Sequence, residues 1–129
     1  MMGTLEGFPN PPVADVVYMI SDMLFSSKLR EAAKATGVSV QAVRDPAAWA
    51  AAAASEAKLA IVDLRMPNAL AALDALSVAH APANLRTVGF IDHERTDVMD
   101  QARAKGCTDV MAKGQFANAL PKLLAALTS

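Results

Sequence analysis

Three aspartates and one lysine share a setting in this sequence: Asp22, Asp63, Asp92 and Lys113 each stand at the end of a short apolar run. Asp63 closes Leu59-Ala60-Ile61-Val62, Asp92 follows residues 87–91, Asp22 lies just beyond residues 13–20, and Lys113 follows residues 109–112. Carboxylates brought close together raise one another's pKa unless a cation shares the space. Either Lys113 supplies that cation, or the acids hold a hard divalent ion such as Mg2+, which takes a few carboxylates and keeps waters. His93 follows Asp92, but a single histidine after a strand reads as a surface residue.

The elements that must position these groups alternate in type. Residues 13–20 form a buried-strand pattern, bounded by prolines before and Ser21-Asp22 after. Residues 24–36 carry apolar or small side chains at Leu24, Phe25, Leu29, Ala32, Ala33 and Ala35, and Gly37 stops that helix. Asp22 is also a favoured helix cap, and capping and metal ligation are compatible roles. Residues 38–43 alternate as a half-buried strand. Asp45 and Pro46 then open a helix to about residue 56, with Asp45 as N-cap, Pro46 at the first helical position, and an alanine-rich body.

The pattern repeats. Residues 58–63 form a third strand, 69–79 a helix with Leu70, Leu73 and Leu76 at helical spacing, and 87–91 a fourth strand. Residues 95–105 form a helix closed by Gly106, and 109–112 a fifth strand. Leu120, Leu123, Leu124 and Leu127 give the last helix its apolar stripe. Proline fits only the first turn of a helix, so Pro121 predicts a start near Ala117 or Asn118. Strict alternation predicts an α/β chain with a five-stranded parallel doubly wound sheet in the order 2-1-3-4-5, a flavodoxin-like three-layer α/β/α arrangement. In such sheets ligands bind beyond the carboxyl ends of the strands, where the order reverses between strands one and three.

The chain has 129 residues, 53% hydrophobic and 19% charged, with a net charge of −1. That argues for one packed domain over residues 13–129, led in by a flexible, proline-containing segment over residues 1–12. No basic patch marks a nucleic-acid binder. Neither a signal peptide nor a membrane-length apolar stretch is present. Cys107 is the sole cysteine, which rules out an internal disulfide and fits a reducing, cytoplasmic setting. Cys107, Met19, Met111 and Trp49 read as packing residues, and Met66 as a loop residue that packs or faces a partner.

The segment Leu59-Ala60-Ile61-Val62-Asp63-Leu64-Arg65-Met66-Pro67 resembles the phosphoacceptor segment of bacterial two-component receiver domains. The likeness runs from Val13 to Leu127 and includes Lys105-Gly106-Cys107-Thr108-Asp109 and the following Lys113. It implies that Asp63 accepts a phosphoryl group from a phosphohistidine. It also implies that Asp22, Asp63 and the backbone carbonyl of Arg65 ligate Mg2+, and that Lys113 contacts the phosphoryl oxygens, the metal and lysine neutralising charge in an in-line transfer.

Against that pattern, Ser21 precedes Asp22 where the family carries two acids, and Asp92 stands at the usual Ser/Thr switch position. Val110 replaces an aromatic residue, and Gly114 replaces the proline after the lysine. The resemblance therefore implies an atypical receiver, or pseudo-receiver, that signals by protein–protein contact with a histidine kinase or a downstream effector and is not an enzyme. The alternative is a conventional Mg2+-dependent phosphoacceptor. A third class, a small flavodoxin-like enzyme or cofactor carrier, lacks support because residues 21–27 contain no glycine to cradle a phosphate. Such domains use the face of the fourth and fifth units, here with Asp97, Asp100, Arg103 and Lys122 exposed, as the expected docking or homodimer surface.

Overall fold

Four parallel pairings join five strands: β1 (Val16–Met19), β2 (Val40–Ala42), β3 (Leu59–Asp63), β4 (Arg86–Ile91) and β5 (Asp109–Ala112). Their order across the sheet is β2-β1-β3-β4-β5, the doubly wound 2-1-3-4-5 arrangement expected from the sequence. The structure is a computed structural model and describes residues 14–55 and 57–128. The lead-in over residues 1–12, the start of the first strand at Val13 and the end of the second helix at Glu56 lie outside the described residues.

Side chains alternate across the sheet, so each strand feeds two cores. Val17, Met19, Ala60, Val62 and Ile91 pack with α2 (Pro46–Ala54), α3 (Ala69–Ser77) and α4 (Thr96–Ala104) on one side. Val16, Tyr18, Leu59, Ile61, Val88, Phe90 and Met111 pack with α1 (Met23–Thr36) and α5 (Lys113–Ala125) on the other. Asp63 shares the parity of Leu59 and Ile61, which directs its side chain to the α1/α5 side. Trp49 is fully buried and its indole Nε1–H donates to the Ile61 carbonyl at 3.1 Å, which ties α2 to the central strand. Met19 and Met111 are core residues, as expected.

The helix boundaries follow local chemistry. Asp22 caps α1 by accepting from the amides of Leu24 (2.8 Å) and Phe25 (3.2 Å), and Asp45 caps α2 by accepting from the Ala48 amide at 2.9 Å. Gly37 ends α1 in the left-handed region at φ 77°, a conformation that an L side chain rarely adopts. Leu24, counted in the sequence as part of the apolar stripe of α1, is instead 62% exposed. Gly89 in β4 answers a different need. A Cβ there would lie 2.9 Å from Leu64 Cδ1 and 3.1 Å from Leu64 Cγ, so a bare backbone lets the β3–α3 turn close over the sheet.

The last helix corrects the sequence reading. It begins at Lys113, not near Ala117 or Asn118, and holds Pro121 in its interior. Phe116 is fully buried and lies four residues before Leu120, so the apolar stripe starts a turn earlier than the leucines alone suggest. Gln115 Oε1 also accepts from the Ala112 amide at 3.4 Å, closing the N-terminus. Pro121 removes one backbone bond on the outer, exposed face. Burial of Phe116, Leu120, Leu123 and Leu124 outweighs that loss.

Candidate functional site

The strand register decides which of the four groups meet. Asp63 pairs with Phe90, and Ile91 pairs with Ala112. One step further along, Asp92 and Lys113 stand level with each other, while Asp63 lies two residues lower on β4's ladder. Accordingly Lys113 Nζ sits 2.8 Å from Asp92 Oδ1. This pair lowers the Asp92 pKa below the usual carboxylate value, with Lys113 as the largest cause and Arg65 and His93 adding to it.

Asp63 is fully buried at the end of β3. Its Oδ1 accepts from the Arg65 amide at 3.0 Å and from Arg65 Nε at 2.9 Å. Its Oδ2 accepts from Arg65 Nη2 at 3.0 Å and from the Ser21 hydroxyl at 3.3 Å. A carboxylate offers about four acceptor positions, so both oxygens are occupied. The Arg65–Asp63 contact is a two-point fork, the arrangement that favours arginine over lysine at such sites.

Arg65 Nη2 also reaches Asp22 Oδ2 at 3.4 Å. Asp22 thus caps α1 with one oxygen and meets the guanidinium with the other. The Phe25 amide lowers its pKa most, and the Leu24 amide and Arg65 lower it further against the effect of burial. The hydrogen bond to Asp63 raises the already high Arg65 pKa.

Beneath the guanidinium lies an aromatic platform. Arg65 Cζ is 5.5 Å from the Phe25 ring centre and 5.6 Å from that of Phe90, within cation–π range. Phe90 stacks on Phe116 at 4.3 Å with a 6° interplanar angle, and Phe25 leans on both. The rings come from α1, β4 and α5, the same side of the sheet as Asp63.

The four sequence candidates therefore gather at one rim but divide into two ion-paired groups, Asp22–Arg65–Asp63 and Asp92–Lys113. Arg65 enters through its side chain, where the sequence reading assigned only its backbone carbonyl. Ser21, Phe25 and Phe90 are further members that the sequence reading did not assign to the site. The signal was an arginine two residues after a strand-terminal aspartate, a spacing that lets the turn fold the guanidinium back on the acid. His93 is exposed and pairs only with Glu94 at 3.5 Å among the described ion pairs.

The residues in this arrangement do not fit Mg2+. The positions a metal would take on Asp22 and Asp63 face the guanidinium, and Asp63 has no free acceptor. Among the described residues no group of three or more His, Cys, Asp or Glu is arranged for a metal.

Cys107 lies under β4, with its thiol against the Thr87 and Asp109 carbonyls. Burial pushes its pKa up to about 11. Near pH 8 roughly one thiol in a thousand is then ionised, against about one in four for a free cysteine. Iodoacetamide should leave the native protein largely unmodified over an hour and alkylate it fully in urea. Rapid native alkylation, followed by intact mass, would contradict the packing role.

No protein-family model matches the chain, and no curated protein matches it in sequence. Solved structures do match. The receiver domain of the sensor histidine kinase PA1611 from Pseudomonas aeruginosa PAO1, which carries a magnesium ion in its active-site cleft, is 13% identical with a TM-score of 0.71, covering 90% of this chain and 98% of that one. The chemotaxis response regulator CheY4 of Vibrio cholerae is 17% identical with a TM-score of 0.71, covering 89% and 98%. The receiver domain of NtrX from Brucella abortus is 19% identical with a TM-score of 0.69, covering 88% and 97%. The chain has the fold of these receiver domains.

Proposed function

We propose that this chain is a receiver-like signalling domain of the two-component or phosphorelay kind, which acts by protein–protein contact and does not switch through phosphorylation of Asp63. One observation carries the reading: the Asp63 carboxylate is buried, with both oxygens held by Arg65 and Ser21. A phosphoacceptor must present one carboxylate oxygen in line with the phosphorus. Here that oxygen would first have to leave a two-point arginine contact. Lys113, the group expected to meet phosphoryl oxygens, is engaged by Asp92. The Asp92 carboxylate adds like-charge repulsion toward an arriving phosphoryl group.

The domain works as a binding module and not as a catalyst, in the cytoplasm. No described helix is long and apolar enough to cross a membrane, and the free cysteine suits a reducing compartment. Its partner is a protein, a histidine kinase or a downstream effector, or a second copy meeting it through α4 and α5. That face displays Asp97, Asp100, Arg103 and Lys122 in the open.

The test is exposure of the full chain to acetyl phosphate with Mg2+, followed by intact mass. We expect no phosphate-sized gain. A gain that disappears in Asp63→Ala would replace this reading with a conventional phosphoacceptor, which the shared rim of Asp22, Asp63 and Lys113 otherwise favours.

A further inference from the structure

We propose that Arg65 is the resident cation of this pocket: its guanidinium takes the place of a divalent metal between Asp22 and Asp63 and keeps such ions off both acids. The inference rests on the receiver-like reading for the location of the pocket, and concerns what neutralises it.

Three features support the assignment. The first is position. One nitrogen, Nη2, lies 3.0 Å from Asp63 Oδ2 and 3.4 Å from Asp22 Oδ2, between the two carboxylates that a metal would have to share. The second is anchorage. Nε and the Arg65 amide both hold Asp63 Oδ1, and the Phe25 and Phe90 rings lie against the guanidinium, so the charge is fixed from several sides. Arginine also keeps its charge at any physiological pH and is more weakly hydrated than an ammonium, which suits a half-buried place over rings.

The third feature is tethering. Arg65 stands two residues from Asp63, so its binding is intramolecular, and a free ion must compete with a local concentration of about millimolar or more. Two carboxylates against one guanidinium leave a single negative charge in this group. That is a weak attraction for Mg2+, which sheds its water reluctantly.

Mn2+ reports the site without any catalytic readout, because its paramagnetism broadens the amide signals near it. In isotope-labelled wild-type chain, Mn2+ should cause no broadening centred on Asp22, Asp63 and Arg65. In Arg65→Met, whose unbranched stem still covers the rings, it should broaden those amides with an apparent affinity about tenfold or more tighter, and Mg2+ should compete it away. Arg65→Lys, which keeps one charge but not the fork, should fall between the two and serves if the methionine variant does not fold. Equal broadening in wild type and variant, or none in either folded variant, would overturn the inference. Wild-type Mn2+ binding with no phosphorylation of Asp63 by acetyl phosphate would sink this inference alone, phosphorylation of Asp63 with no wild-type Mn2+ binding would sink the proposed function alone, and both together would sink both.

Discussion

Arg65→Met should lower the unfolding free energy by roughly 3 kcal/mol, because it leaves the buried Asp63 carboxylate without its charge partner. The figure sits at the low end for a broken buried pair. Asp63 is wholly buried, but the Arg65 side chain is 26% exposed, so water already screens part of the interaction. Asp63→Asn should cost less, about 1–2 kcal/mol, since the amide keeps the shape and the Ser21 contact, and the freed guanidinium still has Asp22 and solvent. In the double variant no buried charge is orphaned. Its loss should therefore fall short of the sum of the single losses by about 1–3 kcal/mol. Urea unfolding of the four proteins measures this cycle. Strict additivity would mean that the fork contributes nothing specific and that Arg65 acts only by covering the rings.

Phe90→Ala should have the larger effect, about 3–5 kcal/mol, the usual range for deleting a fully buried ring. Phe90 is in van der Waals stacking with Phe116 and carries the guanidinium on its other neighbourhood, so the change opens a cavity and removes part of the platform at once. For a domain of this size the melting temperature should fall on the order of 10 °C or more. The urea slope should stay near the wild-type value, because the same surface is exposed on unfolding. A loss below about 1.5 kcal/mol would show that α1 and α5 collapse over the gap and that the ring stack is not the support of the site.

Much of the architecture was legible in the residues. Local chemistry marks the ends of elements: Asp45 with Pro46 opens α2, Gly37 closes α1, and apolar runs with aspartates at their ends give the strands. Alternation of the two element types then leaves few ways to build a sheet, and the expected order is the one present. Asp22 as a cap was also readable, because a cap bonds amides two and three residues away.

Pro121 shows where such local reasoning stops. A proline penalty can be read from one residue, but its outcome depends on how much apolar surface the whole of α5 buries against α1 and the sheet. The sequence already allowed Lys113 to pair with Asp92, but the choice of Asp92 over Asp63 was beyond local inspection. It follows from the register of β5 on β4, which sets the lysine level with Asp92 and not with Asp63.

The sequence by itself determined the type and order of the elements, and hence that Asp22, Asp63, Asp92 and Lys113 share one edge of the sheet. Only the tertiary structure decided that an arginine side chain neutralises the central acid. A side chain in a turn takes its direction from what lies beneath it, and here that floor is made of Phe25 and Phe90, residues 65 positions apart in the chain that meet only when α1 packs on β4.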